Sequence, residues 1–128
     1  MDNLVKNLLQ NPEELTEKDI DFIAFKLHEI YRKERRKTIA QTVYDVLTRA
    51  NKNSICGNEY NLMKICYLAS NSKLNQSSNI LTIRKSIYNG LKNSKLFRPE
   101  HVITSRINGE NGMLIRYYIN QPTKGEKS

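Results

Sequence analysis

The stretch SNILTIRKSIYNGLKNSKLFRPEHVITSRINGENGMLIRYYI, Ser78–Ile119, changes its period part-way along. In its first part Ile80, Ile83, Ile87 and Leu91 recur at steps of three and four, which makes one apolar stripe of a helix. Ser77 or Ser78 is placed to cap that helix, which runs to about Lys95. Further on, residues 101–107 (HVITSRI) and 113–119 (MLIRYYI) are rich in β-branched and aromatic side chains, the composition of strands. Between them lie Asn108-Gly109 and Asn111-Gly112, pairs that accept positive φ and close a hairpin. A helix followed by a β-hairpin is therefore expected. Tyr117 and Tyr118 fall on opposite faces of the second strand, one toward the core and one toward the surface.

Upstream, the pattern is helical throughout. Leu62, Ile65, Cys66 and Ala69 mark a helix from about Asn58 to Ser70. A polar turn, Ser70 to Ser77, follows it, with Leu74 as its one apolar residue. Asn51-Lys52-Asn53-Ser54 reads as a turn. Before it, Ile39, Val43, Val46, Leu47 and Ala50 form another stripe. Earlier still, Ile20, Ile23, Ala24, Leu27, Ile30 and Tyr31 form a third, widened by Phe22 and Phe25. Thr16 followed by Asp19 looks like the start of that helix. These two stripes meet at the run Arg32 to Lys37, so they are two helices joined near residue 36 or one long kinked helix. Leu4, Val5, Leu8 and Leu9 suit one or two further turns, broken at Asn11-Pro12. The expected fold class is α+β, mainly helical, in a single domain over residues 1–120. Within it, 1–36 is an N-terminal helical extension with an amphipathic helix, 37–120 is the core, and 121–128 is a flexible tail.

Composition narrows the function. The chain has 128 residues and a net charge of +8. Residues 1–51 carry nine Lys/Arg against nine Asp/Glu, and residues 52–128 carry twelve against four, so the whole imbalance sits in the C-terminal part. A one-sided positive field attracts a polyanion, and nucleic acid is the usual one. Cys56 and Cys66 make no disulfide framework, and buried free thiols are expected. The start MDNLVKNLLQ lacks the pattern of a signal peptide and no stretch reaches a membrane span, which together give a cytoplasmic reading with no membrane partner. His28, Cys56, Cys66 and His101 have no close-paired metal-ligand spacing. There is no phosphate-binding glycine loop or dinucleotide fingerprint, and the carboxylates crowd into the N-terminal third. The expectation is a non-enzyme without metal, cofactor or evident small-molecule ligand.

The order helix, helix, polar turn, helix, hairpin resembles the winged helix-turn-helix family, with small MarR-like transcription regulators as the nearest broad likeness. The residues that carry it are Leu62 to Ile119. Ile65-Cys66-Tyr67-Leu68-Ala69 resembles the first motif helix, and Ser78 to Lys95 the recognition helix. The segment Leu91 to Phe97 resembles the exit from that helix, although Ser94-Lys95 stands where the family often has glycine, and the turn Ser70 to Ser77 is longer than usual. Residues 101–119 resemble the wing, and helix 38–50 the preceding support helix.

The resemblance implies double-stranded DNA as the partner, with the helix of about residues 78–95 in the major groove and the wing on the backbone or minor groove. With the isoleucine stripe inward, Ser78, Thr82, Lys85, Asn89 and Lys92 lie on the outer face, which is free of acid, and Arg84 lies at its edge. Asn89 suits adenine, while Lys85 and Lys92 suit phosphate or guanine. Arg98, Arg106 and Arg116 are the wing candidates. By itself, such a face is only a solvated helix; helix order, hairpin and charge together point to a transcription regulator. Two alternatives stand beside it: a winged-helix module that binds protein, and a replication or partition factor of a plasmid or virus. The helix Glu17 to Tyr31 lies outside the minimal motif. It covers the core or pairs with its twin, and a homodimer would suit a palindromic site.

Overall fold

The computed structural model describes residues 2–34, 38–70, 79–107 and 110–120; for Asp2, residues 101–107 and residues 110–113 it describes the backbone alone. Helix α1 spans Asp2–Leu8, and a single 3-10 turn follows at Pro12–Glu14. Helices α2 (Glu17–Lys33) and α3 (Ile39–Arg49) are separate. Strand β1 (Ser54–Cys56) precedes α4 (Tyr60–Ser70) and α5 (Ile80–Lys92). Strands β2 (Phe97–Ile107) and β3 (Glu110–Ile119) complete an antiparallel sheet of order β1-β3-β2. The chain is thus α+β and mainly helical, and its element order is compatible with a winged-helix-like arrangement.

Local chemistry explains most boundaries. At the start of α2, the Thr16 side chain accepts from the Asp19 amide at 3.2 Å, and the Asp19 carboxylate accepts from the Thr16 amide at 3.4 Å. This reciprocal box satisfies two donors that a helix start leaves unpaired. Helix α3 ends with Asn51 in the left-handed region, φ 63°. The Asn51 amide donates to Thr48 O and the Lys52 amide to Leu47 O, the two bonds of a Schellman stop with asparagine in the place glycine usually takes. The cap of α5 is Asn79, whose side chain accepts from the Thr82 amide at 2.9 Å, instead of the expected serines, which lie outside the described residues. The helix ends at Lys92, three residues earlier than expected.

Helix α4 is the centre of the molecule. Leu62, Met63, Ile65, Cys66, Leu68 and Ala69 are all buried, so the helix is covered on nearly every side. Helix α2 packs along it, and α3 and α5 also lie against it. One apolar core runs from Val5 to Ile119 and takes in Ile20, Ile23, Ala24, Leu27 and Tyr31 of α2. The amphipathic stripe of α2 is therefore satisfied within the chain, and the stripe itself no longer calls for a twin. Glu13 fastens the same region: its carboxylate oxygens accept from the Asn61 and Leu62 amides, 3.1 Å each, at the start of α4. A charged cap of this kind contributes about 1 kcal/mol. His28 Nδ1–H donates to Ala69 O at 2.9 Å, near the other end of α4.

The sheet departs from expectation in three places. Strand β1 pairs Ser54, Ile55 and Cys56 with Tyr118, Tyr117 and Arg116. Three residues are too few for an alternating pattern, so this strand left no periodic trace. Strand β2 starts at Phe97, four residues early, and includes Pro99. Because β2 is an edge strand, a residue without an amide hydrogen costs no pairing there. Strand β3 starts at Glu110, three residues early, so Asn111-Gly112 pairs with Arg106 and Ser105 inside the ladder; Asn108 and Gly109, between Ile107 and its partner Glu110, lie outside the described residues. Tyr117 is buried and Tyr118 half-buried, on opposite faces as expected.

Two buried protons make stability depend on alkaline pH. Burial holds the Cys66 thiol protonated well above its ordinary range. Burial, with the hydrogen bond to Asp45 (2.5 Å), does the same for the Tyr31 phenol. Both groups keep their protons in the folded chain at pH values where the unfolded chain releases them. Their stabilisation is fully present below the unfolded pKa, about 8.5 for a thiol and about 10 for a phenol, and is lost as pH rises beyond it. Each group costs up to about 1.4 kcal/mol per pH unit in that range. The urea midpoint is expected to be flat from about pH 7 to 8 and to fall above about pH 9. Cys66→Ala, though less stable throughout, should fall less steeply between about pH 8.5 and 10. Equal slopes for the two proteins would contradict this account.

Candidate nucleic-acid interface

The outer face of α5 follows from its inner one. Ile83, Ile87 and Leu91 are buried against α3 and α4, and Ile80 is half-buried beside them. At 3.6 residues per turn, this leaves Leu81, Thr82, Lys85, Asn89 and Lys92 on the opposite side, and all five are exposed. No acid interrupts the chain between Glu59 and Glu100, a span that holds all of α4 and α5. The face is therefore positive, with no carboxylate on its own helix.

Four sequence candidates, Thr82, Lys85, Asn89 and Lys92, are brought together here. The arginines are used differently. Arg84 is half-buried; its Nε donates to Gly57 O at 3.2 Å and its guanidinium lies 5.7 Å from the Tyr60 ring centre. It fastens α5 to the segment after β1. Arg98 bonds Ile119 O and Asn120 Oδ1 at 3.3 Å each, stands over the Tyr118 ring at 5.3 Å and pairs with Glu100 at 3.6 Å. Arg116 bonds Ser54 Oγ at 2.9 Å and pairs with Glu59 at 3.7 Å. In β2, Arg106 pairs with Asn111, next to the hairpin tip; its side chain, like the whole of Ser78, lies outside the described residues.

Register separates these arginines. Arg98 and Arg116 lie near the base of the hairpin, where Phe97 pairs with Ile119. At ~3.3 Å per residue, Arg98 is roughly 30 Å from the tip, so Arg106 alone of the three stands beside the turn. Tyr88 ties α5 to the hairpin: its hydroxyl donates to Ile115 O at 3.0 Å and accepts from the Ile115 amide at 3.3 Å.

No family model, curated protein or solved structure matches the chain.

A cleft of about 600 Å³ lies where α3 ends and the sheet begins, lined by Tyr44, Thr48, Asn51, Lys52, Asn53, Ser54, Glu59, Arg116 and Ile119. Sequence reasoning gave no sign of it, because its walls come from three separated segments. The charge of Arg116 is matched there by Glu59. Among the described residues, no group of three His, Cys, Asp or Glu side chains is placed to hold a metal ion. No described helix is long and apolar enough to cross a membrane. Leu81, exposed at the edge of the polar face, is the other feature that the isoleucine stripe does not mark.

Proposed function

We propose that this chain binds double-stranded DNA as a transcription regulator, with α5 entering the major groove and the β2–β3 hairpin resting on the adjacent backbone or minor groove. The observation that carries the reading is the exposed face of α5. Thr82, Lys85, Asn89 and Lys92 lie together on a helix that carries no acid. A helix of this diameter fits the major groove, and amide, hydroxyl and ammonium groups are those that read base edges and phosphates. The order α3–β1–α4–α5–β2–β3 places a hairpin directly after that helix, which supports the winged-helix reading. Arg106 at the hairpin tip is the wing contact; Arg84, Arg98 and Arg116 position the helix and sheet through their protein partners.

The test is fluorescence anisotropy of the full chain with a labelled random duplex across a salt series. Neutralisation of three to four phosphates would give a log–log slope of about −3 to −4. Absence of binding by the folded protein at about 50 mM salt would remove the DNA reading and favour a protein-binding module.

A further inference from the structure

We propose that Leu81 is an apolar base reader, whose side chain packs against the C5-methyl group of a thymine in the major groove. The inference rests on the DNA-binding reading and names a part of its specificity. Leu81 is 66% exposed, the most exposed large apolar side chain among the described residues. Among the described residues the core side of α5 is filled by Ile83, Ile87 and Leu91, and Leu81 lies outside that core. Its neighbours one turn on are Arg84 and Lys85, so it stands at the edge of the positive face, beside the Lys85 ammonium.

Position and chemistry agree. Leu81 is the second residue of α5, and the N-terminal residues of a recognition helix are those that meet base edges. A leucine side chain can neither donate nor accept a hydrogen bond. Among the groups on the floor of the major groove, the thymine methyl is the apolar one. Thr82 and Lys85, beside Leu81, would then engage phosphate or a neighbouring base, holding the helix at the depth where the two apolar groups touch.

The experiment uses the full chain. A binding site is first selected from a random duplex library. Each thymine of that site is then replaced singly by deoxyuridine, which removes only the methyl group. One replacement is expected to weaken the wild-type protein about fourfold, the worth of one buried methyl-sized group. Leu81→Ala, at an exposed position and with an unchanged circular dichroism spectrum, should bind the thymine and uracil duplexes equally. Lys85→Gln should bind both more weakly and keep the fourfold ratio. A ratio that survives Leu81→Ala, or a wild type indifferent to every replacement, would overturn the assignment while leaving DNA binding intact. Failure to select any duplex would instead overturn the DNA-binding reading, and this inference with it.

Discussion

Lys85→Glu combined with Lys92→Glu is expected to weaken duplex binding by about 100-fold at ~0.1 M salt. Both lysines are exposed on α5, and neither has a structural duty among the described contacts, so the fold should be unchanged. Each reversal removes one phosphate partner and sets a carboxylate against the remaining phosphates. The log–log salt slope should also fall by about two, one for each lost contact. Lys6→Glu combined with Lys18→Glu, two exposed lysines outside α5, changes net charge by the same four units and serves as the control; it should move affinity only slightly through the long-range field. If the double variant and the control behaved alike, α5 would not be the face that meets DNA.

Gly90→Val is expected to destabilise the protein by about 3 kcal/mol. A Cβ at Gly90 would lie 2.9 Å from both Cβ and Cγ2 of Ile39, the first residue of α3. These atoms sit close to the main chain, so they cannot swing aside as the end of a long side chain would. Valine adds two further methyl groups to the same contact, and α3 and α5 must separate to admit them. Alanine, by contrast, gains about 1 kcal/mol of helix propensity over glycine, which offsets part of its smaller collision. Ile39→Ala in the Gly90→Val background removes Cγ2 but keeps Cβ, so it should recover part of the lost stability by urea unfolding, a coupling that a double-mutant cycle isolates. Strict additivity of the two substitutions would mean that the helices do not meet at this point.

The helices were legible because each carries its own record. The stripes of α2, α3 and α5 place their buried residues, and the Thr16–Asp19 box marks a boundary by short-range hydrogen bonds. The hairpin was legible from the β-branched and aromatic composition of its strands; of its two Asn-Gly pairs, Asn111-Gly112 belongs to β3 and not to the turn. Strand β1 was not, because three residues carry no period and its pairing partner lies some sixty positions on. The full burial of α4 was missed in part: Met63 and Leu68 fall outside a single stripe, and only the cover from α2 brings them inside. At the candidate interface, the exposure of the lysines and Asn89 followed from helical spacing alone. The arginines did not. Arg84, Arg98 and Arg116 are long enough to reach Gly57 O, Asn120 Oδ1 and Glu59, and no local pattern records partners so distant in sequence.

The packing of α2 along α4 bears on how the chain can be cut. A fragment of residues 37–120 keeps every element of the helix-and-hairpin order. It nevertheless strips α4 of its cover and leaves the amides of Asn61 and Leu62 without the Glu13 carboxylate. Several large side chains of the central helix would then meet water, each at a cost of ~1.5–3 kcal/mol, against a total stability of ~5–15 kcal/mol. The segment before residue 37 is thus no detachable arm: it is one wall of the chamber that the helix-and-hairpin half is built around.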